Sequence, residues 1–108
     1  NDFLRRMSEK DTRANIRRIC EQALAGGAQV MLIAVPAPSA AAVIAGSLSD
    51  HPLYQEIADS LRLPLHANGW STVLANAALR SDQIHANAQG YEAFANGLLS
   101  TARAAQLL

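Results

Sequence analysis

Apolar residues near the N-terminus recur at helical spacing. Ile16, Ile19, Cys20, Ala23 and Leu24 fall at i, i+3, i+4, i+7 and i+8. The pattern predicts a helix capped by Asp11 or Thr12 and running to about Ala25, after a polar, charged stretch over residues 1–10. Gly26-Gly27 offers the positive-φ freedom that a helix end uses. Val30-Met31-Leu32-Ile33-Ala34-Val35 follows with no polar break. Such a run predicts a central parallel strand buried on both faces. Pro36 stops it, and Pro38 keeps the next stretch extended. Residues 36–50 read as a mixed loop, with a short helical turn over Ala40–Ala45. Asp50 ahead of Pro52 suggests a cap-and-proline start for a helix from about Pro52 to Leu61, burying Leu53, Ile57, Ala58 and Leu61.

Leu63-Pro64-Leu65-His66 reads as a short final strand, Trp70–Leu79 as irregular or briefly helical, and Ser81–Asn87 as a polar loop. The last helix opens near Asn87 or Ala88 and carries Tyr91, Phe94, Ala95, Leu98 and Ala102 on one stripe. Helices alternating with strands predict an α/β chain with a parallel sheet. Two strands and three helices cannot cover both sheet faces and close a core. The organisation expected is therefore that of part of a larger domain, with a bare sheet face.

Half of the 108 residues are apolar, which permits a real core, and only 5% are aromatic, which favours helices on a sheet over an all-β sandwich. Nine basic and nine acidic residues cancel. Arg5, Arg6, Arg13, Arg17 and Arg18 are interleaved with Glu9, Asp11 and Glu21, the composition of a solvated helix face. No basic stripe asks for nucleic acid. Cys20 is the single cysteine, which excludes an intrachain disulfide and a thiolate metal cage. Its place on the apolar side of the first helix suggests a buried, inert thiol. No apolar run approaches the roughly 20 residues of a bilayer span.

The stretch Ser81-Asp82-Gln83-Ile84-His85-Ala86-Asn87-Ala88-Gln89-Gly90-Tyr91 places an acid three residues before a histidine, in a loop leading into a helix. A base for a serine hydroxyl needs a neutral imidazole whose far nitrogen is held by a carboxylate. Residues three apart in a turn can meet, so one loop can hold both, with Ile84 anchoring it in the core. A bare Asp-x-x-His is more often a turn-capping Asp beside a surface His. The opening Asn1-Asp2 adds a side-chain amide able to face a developing oxyanion.

Together these residues resemble two sequence blocks of the SGNH (GDSL) esterases and thioesterases. Asn1-Asp2 is similar to the end of the third block, Gly-x-Asn-Asp. Asp82-Gln83-Ile84-His85-Ala86-Asn87 with Gly90 is similar to the fifth, Asp-x-x-His-x-Asn with a later Gly. The resemblance spans essentially all 108 residues. It implies that residues 1–108 are the C-terminal part of one hydrolase domain, a three-layer α/β/α sandwich with a parallel, flavodoxin-like sheet. It also implies hydrolysis of a carboxylic ester or thioester through an acyl-serine, as in esterases, lipases and thioesterases, without cofactor or metal. His85 would be the base and then the acid, Asp82 its orienting partner and Asn1 an oxyanion donor. Export to the periplasm or outside the cell is a further expectation from the family.

The first block, Gly-Asp-Ser-Leu, and the second-block Gly are not in this sequence. The implied partner is therefore the N-terminal part of the same domain, carrying the serine. Gly46-Ser47-Leu48-Ser49 is the nearest string, but it lacks the Asp and falls after Asn1, out of family order. Two other readings compete: a non-catalytic binding domain with an SGNH-like shell, and a metal-dependent hydrolase using His66, Asp82 and His85. His66 by itself reads as a polar residue near the site rim, and His51 as a helix-start residue. Trp70 reads as a packing anchor or, second, as a wall of the acyl pocket.

Overall fold

The computed structural model describes residues 8–37, 42 and 45–108. Ser8 caps α1 (Glu9–Ala25). Its hydroxyl accepts the Asp11 N–H at 3.1 Å, a serine cap that the apolar spacing does not reveal and that starts the helix before the predicted Asp11 or Thr12. The helix ends at Gly26, and Gly27 then turns the chain at φ 85°. Thr12 and Cys20 are buried, Ile16 packs against the core, and Ile19 and Leu24 stay exposed. The seam is therefore narrower than the sequence stripe. Burial raises the Cys20 thiol pKa, with Glu21 adding to the shift. The described part of the solvated face is as expected: Arg13 pairs with Glu9 and with Glu56 across to the next helix, and Arg17 pairs with Glu21, while Arg5 and Arg6 lie outside the described residues.

The predicted strand over Val30–Val35 is shorter, β1 (Leu32–Ile33), and it pairs in parallel with β2 (Leu65–His66). Leu32 N–H donates to Pro64 O and Ala34 N–H to His66 O. Between the strands lies α2 (Leu53–Leu61), which buries Leu53, Tyr54, Ile57 and Ala58 while Leu61 is half-buried. Its start is held by His51, whose Nδ1 accepts the Leu53 N–H at 3.1 Å. After β2 come α3 (Gly69–Ala75), a 3₁₀ turn over Ala77–Leu79, and α4 (Ala88–Ala104). The stretch expected to be irregular or briefly helical is thus mostly helical. The turn expected at Ala40–Ala45 lies largely outside the described residues, and Ala42 and Ala45 are helical.

The result is a mixed α/β structure with a two-stranded parallel sheet. Side-chain alternation splits its core. Leu32 and Ala34 join Cys20, Leu53, Tyr54, Ile57 and Ala58 under α1 and α2. Ile33 packs on the opposite side with Val73, Ala86, Phe94, Trp70 and Leu98 of the α3–α4 half. Two expectations are corrected here. Helices line both faces of the ribbon among the described residues, α1 and α2 on one and the last helix together with α3 on the other, so neither face is bare. And β1 is fully buried only on the α1–α2 side, since Ile33 opposite is half-buried.

Candidate active site

The loop after the 3₁₀ turn is closed by its backbone. Arg80 and Ala86 form an antiparallel bridge, and Ser81 N–H donates to His85 O at 2.9 Å. Asp82 organises the inside of that loop. Its Oδ1 accepts the N–H groups of Ile84 and His85, each at 2.8 Å, the local side-chain turn that Asp favours. The same carboxylate reaches the His85 ring, with Nδ1 at 2.9 Å from Oδ2 and 3.1 Å from Oδ1. Spacing of three thus brings the two side chains together. The Ile84 N–H, then the His85 ring, hold the Asp82 carboxyl below its ordinary pKa.

An ionised carboxylate only accepts hydrogen bonds, so the contact fixes the neutral ring with its proton on Nδ1. The lone pair is left on Nε2, which has no hydrogen-bond partner among the described residues. Both side chains are more than half exposed, 58% for His85 and 57% for Asp82. Exposed ion pairs add little to stability because water screens them, so the contact aims the ring more than it stabilises the fold.

Ile84 does not anchor the loop. It is 49% exposed; the bridge to Arg80 instead puts Ala86 inward, where it is 5% exposed against Val73 and Phe94. Behind it, Asn87 caps α4 by accepting the Gly90 N–H at 2.9 Å. Its Nδ2 donates to Ala78 O at 2.8 Å and its N–H to Leu79 O at 2.9 Å. Gly90 sits so close to the 3₁₀ turn that a Cβ would come within 2.0 Å of Leu79 O.

His66 is not a rim residue. It is 6% exposed; its Nδ1 lies 2.7 Å from Thr101 Oγ1, and its ring meets the Phe94 edge. Its place at the inward-facing position of β2, under α4, carries it into the core. Among the described residues no three His, Cys, Asp or Glu side chains are grouped to hold a metal ion, so His66 does not join Asp82 and His85. Trp70 stacks on Phe94 with centroids 3.7 Å apart and meets Tyr91 edge-on at 5.8 Å, a packing role. Asn1 lies outside the described residues. Ser47 and Ser49 are exposed, and neither hydroxyl bonds to His85.

Asp50 departs from its expected role. Instead of capping α2, its carboxylate accepts the Asn68 N–H at 2.6 Å and the Ser71 hydroxyl at 2.5 Å. That link crosses from the end of the β1 loop to the start of α3, and no local spacing announces it. Beside it a depression of about 530 Å³, bordered by Leu48, Ser71, Thr72 and Asn76, does not reach His85. No family model, no curated protein and no solved structure matches the chain.

Proposed function

We propose that this protein is a serine ester hydrolase of the SGNH type, in which this chain provides the acid–base pair Asp82–His85 and the oxyanion donor Asn1. The observation that carries the reading is the His85 ring, held by Asp82 through Nδ1 and open at Nε2. The nucleophilic serine belongs to an N-terminal part of the same domain. That part adds parallel strands beside β1 and completes a three-layer α/β/α sandwich.

In the reaction, His85 Nε2 takes the proton of the serine hydroxyl as the serine oxygen attacks the substrate carbonyl. The Asn1 amide faces the resulting oxyanion. The tetrahedral centre collapses, the bond to the alcohol or thiol breaks, and His85 returns its proton to that leaving group. Water then attacks the acyl-serine, giving its proton to Nε2, which passes it to the serine oxygen as the acid departs. Asp82 keeps the ring in the Nδ1–H form throughout and steadies the imidazolium when it forms.

The test is hydrolysis of a chromogenic short-chain ester by the full-length protein. Asp82→Asn is expected to lower kcat by roughly 10⁴-fold, because an amide favours the wrong tautomer, and His85→Ala by at least as much. A chelator is expected to leave the rate unchanged. Wild-type rates in both variants contradict the assignment, and loss of activity on chelation favours metal chemistry instead.

A further inference from the structure

The Asp82–His85 loop is held to the body of the protein by Ala86 in the core, by the Arg80 side chain, which donates to Leu74 O, and by an Asn87 side chain with two jobs, and we infer that Asn87 is a positioning residue for His85. The inference rests on the hydrolase reading above. Asp82 sets the ring relative to its own loop, because all its hydrogen bonds stay within residues 82–85. It cannot set where that loop stands. Placement relative to a serine on another segment needs a link that leaves the loop, since a misplacement of about 1 Å can cost roughly 100-fold in rate.

Asn87 supplies such a link two residues after His85, on the C-terminal side of the loop. Its Oδ1 accepts the Gly90 N–H and fastens the loop to α4. Its Nδ2 donates to Ala78 O and fastens the same point to the 3₁₀ turn that precedes the loop. The Asn87 N–H adds a bond to Leu79 O. The two ends of residues 80–86 are therefore clasped by a single amide. Gly90 lets α4 come that close, because any side chain there would strike Leu79 O. An ordinary N-cap uses only the oxygen. The nitrogen is what distinguishes a clasp from a cap.

Asn87→Ser separates the two jobs. Serine caps a helix as well as asparagine does but offers no amide nitrogen to Ala78. In the full-length protein, Asn87→Ser is expected to keep Tm close to wild type and to lower kcat for a short-chain aryl ester at least tenfold, with KM changed less than twofold. Asn87→Ala loses both jobs and is expected to lower Tm as well. Independently of activity, ¹⁵N relaxation is expected to show the backbone order parameters of residues 82–86 falling in Asn87→Ser from about 0.85 toward 0.6. Wild-type kcat in Asn87→Ser, or order parameters that stay at the wild-type level, overturns the inference. His85→Ala in the same assay separates the failures. If it abolishes turnover while Asn87→Ser does not lower it, only the clasp is wrong; if His85→Ala is fully active, the hydrolase reading is wrong, while the relaxation measurement still judges the clasp.

Discussion

Two threonines, Thr12 buried and Thr101 half-buried, show how one residue type carries opposite energetic signs. Thr12 is 1% exposed and its hydroxyl has no partner among the described residues, so a polar group stays desolvated without return. Thr101 instead meets His66 Nδ1 at 2.7 Å, while His66 Nε2 is left without a partner. Thr12→Val keeps the shape and removes the orphan, and is expected to stabilise the protein by about 1 kcal/mol. Thr101→Val leaves a buried imidazole wholly unpaired and is expected to cost about 1–3 kcal/mol, the range for an unsatisfied buried group. Denaturant unfolding of the two variants measures both. The sequence identified neither role, because both depend on partners brought in by tertiary packing. His66 illustrates the point: a strand-end histidine looks polar until the α4 helix closes over it.

At the scale of the element, the hydrogen bonds that Asp82 makes inside loop 80–86 depend on its ionisation. The Ile84 N–H, the His85 ring and the His85 N–H stabilise the ionised Asp82 and lower its pKa. An acid whose folded pKa lies below its unfolded value contributes fully above the unfolded value, about 3.9. That contribution is lost as pH falls through the lowered folded value. The bonds from Ile84 and His85 to Asp82 are therefore expected to persist through pH 5 and to be lost only below about 3.9. The Ile84 and His85 amide proton shifts, followed by NMR against pH, are expected to give a midpoint below that value; a midpoint at or above it contradicts the hydrogen-bonding scheme.

This loop was also the part of the site most legible in sequence, because Asp82 and His85 are near neighbours. Helix α2 was legible for the same reason, with Leu53, Ile57 and Ala58 in consecutive turns. What escaped was long-range or hidden in polar residues. Ser8 starts α1 ahead of the apolar stripe. Asp50 spends its carboxylate on Asn68 and Ser71, 18 and 21 residues away, and not on the helix beside it. Asn87 announces a cap, but the reach of its nitrogen to Ala78 has no local signature.

Across the whole molecule, the α/β order and the parallel sheet follow from alternating helical and continuous apolar runs, and the structure bears out both. The sheet has two strands among the described residues, and a serine hydrolase needs a hydroxyl at His85 Nε2, where no serine of these residues stands. On the proposed hydrolase reading, one loop brings an aimed imidazole to a serine carried elsewhere in the polypeptide. Labelling the full-length protein with a serine-directed phosphonate, then locating the adduct by mass spectrometry, tests this most directly. The expected result is a single adduct on a serine outside residues 1–108, lost in His85→Ala. An adduct on Ser47, Ser49 or any other serine of this chain, or labelling undiminished by His85→Ala, contradicts it.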